Sequence, residues 1–150
     1  GNIMREKLLV YVQTALKQVG VAVEPRVLEW NTFITKYVEP GKFDGYVGGF
    51  TTGLTADHRA FYHSNPSLGS LNRGRYSNPE VDKLMEAIIK TADVNKQKEL
   101  AFKVQTIVAE EQPYTFIIYR TQAYAYNNSV KNVKSYDLLG WFNPEKCWVE

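Results

Sequence analysis

Phe43-Asp44-Gly45-Tyr46-Val47-Gly48-Gly49-Phe50 (FDGYVGGF), followed at a distance by Tyr76-Ser77-Asn78-Pro79-Glu80-Val81-Asp82 (YSNPEVD), decides how this chain is read. The first stretch reads as a short strand that ends in glycines and opens into a loop. The second reads as a loop feeding a capped helix, with Asn78 as N-cap, Pro79 at the first helical position and acids in the first turn. Val81, Leu84, Met85 and Ile88 make the apolar stripe of that helix.

Toward the N-terminus, Met4, Leu8, Val12, Ala15, Leu16 and Val19 recur at helical spacing, and Gly20 stands where a C-cap wants positive φ. Val21, Val23 and Val27 then alternate with Ala22, Glu24 and Arg26, which predicts a strand. Trp30 and Asn31 open a second short helix with Phe33, Ile34, Tyr37 and Val38 on one stripe, stopped by Pro40-Gly41. The order helix, strand, helix, strand is the grammar of a parallel α/β sheet. A βαβ unit needs a strand before its helix, so the expectation is that such a strand lies upstream of Gly1.

Residues 48–74 are rich in Gly, Ser, Asn and Thr, with one short helix expected near Asp57 to His63. A loop of this length is uncommon without a role. A further helix is expected from about Asn95 to Glu111, with Leu100, Val104, Ile107 and Val108 inward and Gln112-Pro113 as its stop. Tyr114 to Tyr119 (YTFIIY) is almost continuously apolar, as in a strand covered on both faces. From Asn127 on, no periodic pattern is long enough to build a core, so the tail is expected to pack on something else.

The bulk numbers narrow the function classes. The chain has 150 residues, 44% of them hydrophobic and 23% charged, ordinary values for a globular domain. Its net charge of +2 offers no basic face for nucleic acid or anionic membrane. Arg73 and Arg75 are the one tight basic pair. A single cysteine, Cys147, allows no internal disulfide and reads as an inert packed thiol. No stretch approaches the roughly 20 apolar residues of a membrane span.

The sequence carries no recognisable catalytic or metal-binding constellation. Asp57, His58 and His63 are the nearest cluster, yet the two histidines are five apart, off the i, i+4 spacing of a helical zinc site. They read as polar loop residues near a pocket mouth. Asp82 and Glu86 read as a solvated helix face. Gly45, Gly48, Gly49 and Gly53 fit neither a dinucleotide fingerprint nor a P-loop. They serve either a plain tight turn or the close approach of backbone to a ligand at the sheet's carboxyl edge. No nucleophile elbow is present. No catalytic residue, metal ligand or cofactor is therefore assigned.

Laid end to end, these pieces resemble the C-terminal part of a family 5 extracellular solute-binding protein, the peptide, nickel and oligosaccharide receptors of ABC importers. The resemblance is carried by Gln13-x-x-Leu16-x-x-x-Gly20-Val21-x-Val23, Phe43-Asp44, Gly49-Phe50, His63-Ser64, Asn72, Tyr76 to Leu84, Glu111 to Thr115 and Trp148. It implies an α/β fold: part of a type II periplasmic-binding-protein lobe, a mixed sheet flanked by helices. Residues 1–123 would form the incomplete lobe and 124–150 would return toward the other lobe.

The resemblance also implies a binding role rather than an enzymatic one. Ligand contacts would come from Gly49, Phe50, Thr51, Thr52, Gly53, Asp57, Asn72 and Tyr76. Phe50 stands where typical members carry Trp, which keeps a flat apolar face and loses the indole N–H. Gly53 stands where peptide receptors commonly carry the aspartate that holds a free amino terminus, a departure for which Asp57 could substitute. The implied partners are a small solute (oligopeptide, oligosaccharide or metal chelate), the ABC permease and the remaining lobe of the same polypeptide. The implied location is periplasmic or lipid-anchored at the cell surface. The same lobe also occurs at the end of cytoplasmic transcription regulators that sense a metabolite, which is the alternative.

Overall fold

The computed structural model describes residues 2–51, 53, 55–119, 123–136 and 141–150. They fall into two compact units, Gly1–Pro113 and Tyr114–Glu150.

The first unit is helical among its described residues. Its elements are α1 (Ile3–Gln18), α2 (Trp30–Phe33), α3 (Arg59–Tyr62), α4 (Pro79–Lys90) and α5 (Val94–Glu111). Local chemistry explains most of their ends. The Asn2 side chain accepts from the Arg5 N–H and starts α1, and Gly20 follows its end at φ +82°. Both carboxylate oxygens of Glu29 accept from the first turn of α2, through the N–H groups of Asn31 and Thr32 at 2.9 Å each. α2 runs on as a π-turn over Ile34–Val38, where the Glu39 N–H reaches back to the Ile34 carbonyl at 2.9 Å. Gly41 at φ +70° then releases the chain.

The core of this unit is the hairpin of α4 and α5. Asn78 caps α4 through the N–H groups of Glu80 and Val81, and Asp93 caps α5 through those of Asn95 and Lys96. Val81, Met85 and Ile88 bury themselves against Val104 and Val108, with Leu84, Leu100, Ala101, Ile107, Tyr62 and Tyr76 packed around them. Gln97, early in α5, donates to the carbonyls of Ile88 and Thr91 at the end of α4. Glu111, at the end of α5, accepts from Tyr76 and Asn78 beside the start of α4. These ties at both ends make the helices antiparallel. Gln112 closes α5 in the left-handed region at φ 48°.

The helices follow the sequence pattern closely, and the expected short helix in the long loop is α3. The strands differ. Residues 21–27, 43–50 and 114–119, each expected as a strand, form no ladder among the described residues. The reason is physical. A helix closes its hydrogen bonds within itself, whereas a strand needs a neighbouring edge. The apolar faces that would line a sheet are correspondingly open. α1 buries no residue, and Tyr119 of the apolar run is 95% exposed.

The second unit holds two small antiparallel ladders. β1 (Val130–Lys131) pairs with β4 (Trp148–Val149), and β2 (Ser135–Tyr136) pairs with β3 (Trp141–Phe142). A 3-10 turn over Pro144–Lys146 leads into β4. Asn143, only 2% exposed, accepts from the Lys134 N–H at 2.8 Å. Asn132, at φ 57°, donates to the Lys146 carbonyl at 3.0 Å. Cys147 is half-buried, and its thiol donates to the Asn143 carbonyl at 3.2 Å.

Candidate functional site

The glycine-tipped stretch 43–50 is anchored by aromatic rings. Tyr46 meets Phe43 edge-on at 4.9 Å between centroids and Phe33 of the α2 end at 5.9 Å. Phe33 in turn lies 5.8 Å from Trp30. Burial in this row pushes the Tyr46 hydroxyl above its ordinary range. A side chain on Gly48 would collide with the Tyr46 ring, so the ring's position itself requires glycine there.

Beyond that row, a β-carbon on Gly49 would lie 3.8 Å from a terminal nitrogen of Arg5. The same guanidinium sits over the Trp30 ring at 5.1 Å. Phe50 meets Phe61 of α3 edge-on at 5.1 Å, with 44% of its surface exposed.

The loop that follows is held onto α4 by carboxylates. Asp57 takes a two-pronged bond from Arg59, Nε to Oδ1 at 2.9 Å and a terminal nitrogen to Oδ2 at 2.8 Å. That bond holds the Asp57 carboxyl below the usual range and raises the Arg59 guanidinium above its own. The other fork of Arg59 reaches Glu86 at 3.3 Å. Asp82 accepts from the Ser64 N–H at 3.0 Å and from the Ser64 hydroxyl. His63 is buried between the same acids, Nδ1 at 3.6 Å from Asp82 and Nε2 at 3.7 Å from Glu86. Its Nδ1 accepts from the Asn65 N–H at 3.0 Å, which leaves Nε2 to carry the proton.

Asn72 ties the two ends of this loop together. Its Nδ2 donates to the carbonyls of Tyr76 at 2.7 Å and His63 at 3.2 Å, and its Oδ1 accepts from the Tyr76 N–H at 2.9 Å. A β-carbon on Gly69 would run into the His63 carbonyl oxygen, so the loop closes only over a glycine there. The Tyr76 hydroxyl donates to Glu111, whose other oxygen accepts from Asn78 Nδ2 at 2.8 Å. Burial first, and then this bond, push the Tyr76 hydroxyl well above its ordinary range, while the bond lowers the Glu111 carboxyl.

Of the residues expected to touch ligand, Gly49 and Phe50 sit together beside Arg5 and Phe61. Thr51 and Gly53 are exposed, and Thr52 lies outside the described residues. Asp57 and Asn72 use their polar atoms on the loop itself, and the Tyr76 hydroxyl is spent on Glu111 at the end of α5. One reading is corrected. Asp82 and Glu86 are not a solvated face but the anchors of the loop, with side chains 20% and 35% exposed. His63 is buried between them and lines an open surface pocket together with Lys83, Ala87 and Lys90.

Periodicity could not reveal the anchors, because their partners lie 18 or more residues away. Sequence spacing likewise gives no hint of the contacts that Arg5 makes with Trp30 and Gly49. Among the described residues no group of three or more His, Cys, Asp or Glu could hold a metal ion, and no helix is long and apolar enough to cross a membrane.

No family model matches the chain. Curated relatives do. The chain is 30% identical over 150 residues to the oligopeptide-binding protein AppA of Bacillus subtilis, covering 99% of this chain and 28% of that protein. It is 26% identical over 125 residues to the di/tripeptide-binding protein 3 of Pseudomonas aeruginosa, 82% of this chain and 23% of the relative. A shorter match, 32% over 66 residues, joins 44% of this chain to 13% of the nickel-binding protein NikA of Staphylococcus aureus.

The solved structure of AppA from Bacillus subtilis in complex with a nonapeptide superposes with a TM-score of 0.82 at 29% identity, over 100% of this chain and 30% of that one. The chain therefore spans less than a third of the length of the relatives it matches. All are named as binding proteins rather than enzymes. Sequence and fold together make this chain homologous to family 5 solute-binding proteins, over about 30% of their length.

Proposed function

We propose that this chain forms most of one ligand-binding lobe of an extracytoplasmic receptor that delivers peptides to an ABC importer. The observation that carries this reading is the match to a peptide-bound relative along the whole chain, at a TM-score of 0.82. In the whole protein, residues 21–27, 43–50 and 114–119 become strands of a mixed sheet. Residues 1–123 build the lobe and 124–150 return toward the other one. Ligand bridges the two lobes and shifts an open–closed equilibrium, and the closed form docks on the permease.

Gly49, Phe50, Thr51, Thr52 and Gly53 face the ligand, with Phe50 as the apolar contact. Asp57, Asn72 and Tyr76 flank them and hold the loop in place. The location is periplasmic or lipid-anchored at the cell surface. The test is native mass spectrometry of the full-length parent purified gently from its own host. A ladder of bound masses spaced like amino-acid residues supports a peptide receptor. A single sugar-like or metal-chelate mass transfers the lobe to those solutes. A protein that is empty and gains no thermal stability from nonapeptides, sugars or chelates refutes the receptor reading.

A further inference from the structure

We infer that His63 is a proton-operated switch in the loop that carries Asn72 and Tyr76: when its imidazole becomes charged, it gives up the Asn65 N–H and turns to the carboxylates of α4. The effect of this switch on ligand rests on the receptor reading above.

Imidazole is the side chain whose ordinary charge change falls between about pH 5 and 8. His63 is 8% exposed, yet it borders an open surface pocket with Lys83, Ala87 and Lys90, so solvent protons reach a ring that is otherwise packed. In the uncharged ring each nitrogen has one role. Nδ1 accepts from the Asn65 N–H at 3.0 Å, and Nε2 carries the hydrogen. A proton on Nδ1 makes that nitrogen a donor, and it can no longer receive the Asn65 N–H. The ring then presents two N–H groups, one 3.6 Å from Asp82 and the other 3.7 Å from Glu86.

The charged groups around the ring favour this exchange. Asp82, Lys83, Glu86 and Lys90 face it from α4. Arg59 of α3 stands beyond Glu86, with Asp57 behind it. Glu86 is shared with Arg59 and Lys90. Asp82 accepts from Ser64, but among the described residues no lysine or arginine pairs with it. A charged imidazole supplies the cation that Asp82 lacks.

The bond that is given up matters to the loop. Asn65 opens a turn in which its carbonyl accepts from the N–H groups of Leu68 at 3.0 Å and Gly69 at 2.7 Å, and its side chain from that of Ser67 at 3.0 Å. Gly69 abuts the His63 carbonyl, which Asn72 grips at 3.2 Å. The same Asn72 amide holds the N–H and the carbonyl of Tyr76. Releasing the Asn65 N–H frees one end of this chain of bonds, and the change passes to Asn72 and Tyr76.

The experiment uses the full-length protein at about pH 7.5 and about pH 5.5, the two sides of an ordinary imidazole titration. Hydrogen exchange at the Asn65 amide, corrected for the intrinsic effect of pH on exchange, reads the switch. Calorimetry with nonapeptides lacking acidic and histidine side chains reads its effect on ligand. The variants are His63→Gln, which keeps an acceptor and cannot charge, and Asp82→Asn, which keeps the acceptor for Ser64 and removes the counter-charge. His58→Gln, at the other histidine of the chain, is the control.

In wild type and His58→Gln, acid should raise the corrected exchange of the Asn65 amide about fivefold, the loss of one hydrogen bond, and weaken peptide binding by a similar factor. His63→Gln should show neither change, and Asp82→Asn should need a lower pH to show them. Level exchange in wild type, or a slope that survives in His63→Gln, overturns the switch. If His63→Gln fails to fold, Asp82→Asn decides, and a pH response identical to wild type overturns it. Exchange that responds while affinity stays level overturns the link to ligand. A wild type that binds no peptide at either pH overturns the receptor reading, and the exchange data still decide the switch.

Discussion

Replacing Asn72 separates a residue that holds the loop from one that holds ligand. Its amide makes three hydrogen bonds, two to Tyr76 backbone and one to the His63 carbonyl. Each is worth about 1 kcal/mol net, so Asn72→Ala has a ceiling of about 3 kcal/mol. The site is only half-buried, so water recovers part of that, and a loss of about 2 kcal/mol is expected. Asn72→Asp is the sharper variant. It keeps the acceptor for the Tyr76 N–H but turns the donating nitrogen into an oxygen facing two carbonyls, 2.7 and 3.2 Å from the original Nδ2. It should cost at least as much as alanine at neutral pH and recover as acid protonates the new carboxyl.

Urea unfolding of the full-length protein reads the stability, and hydrogen exchange at the Tyr76 amide reads the local bond. That amide should lose protection in Asn72→Ala and keep more of it in Asn72→Asp. An Asn72→Asp protein as stable as wild type at neutral pH would refute the reasoning, because the donor would then matter to nothing in the loop.

Further outcomes follow from the same geometry. Met85→Ala, at a position 2% exposed in the helical hairpin, should destabilise by about 2–5 kcal/mol in thermal or urea unfolding. A loss under 1 kcal/mol would mean that the hairpin is not the core. Phe50→Ala should weaken peptide binding by about tenfold with little change in melting temperature, since the side chain is 44% exposed. A stability loss of about 3 kcal/mol at unchanged affinity would make Phe50 a core residue instead.

The carboxyls of Asp57, Glu111 and Glu29 all lie below their ordinary values of 3.8, 4.5 and 4.5 in the folded chain. Their contribution is thus complete above those values and is lost as pH falls through the lower folded ones. Asp57→Asn with Glu111→Gln should flatten the acid limb of a melting-temperature profile, and an unchanged limb would show that these pairs carry none of it. Tyr76 runs the opposite way. Its hydroxyl is raised, so its share is complete below pH 10 and is lost as alkali ionises it. Tyr76→Phe should shallow the alkaline limb.

What could be read from the sequence is what the chain settles locally. Asn78, Pro79 and the Val81, Met85 and Ile88 spacing placed α4 because caps and stripes are short-range properties. Gly20 marked the end of α1 for the same reason. Residues 43–50 have the composition of a strand but form no ladder among the described residues, because pairing depends on an edge outside the segment. The Asp82 and Glu86 anchors were illegible, since nothing in their own helix says that Ser64, His63 and Arg59 will come to them. The Arg5 corner joins α1, α2 and the glycine stretch, three places that no single sequence window contains.

α4 faces two demands at once, and this limits how its sequence can drift. Val81, Met85 and Ile88 answer to α5, while Asp82 and Glu86 answer to the loop. Pro79 opens the helix, and Leu84 packs at the edge of the core. Glu80, Lys83, Ile89 and Lys90 are left as the positions where a random substitution is most readily absorbed. Variation among natural or laboratory-evolved versions of this helix should therefore gather on those four positions, and a library diversified elsewhere in α4 should yield few folded clones.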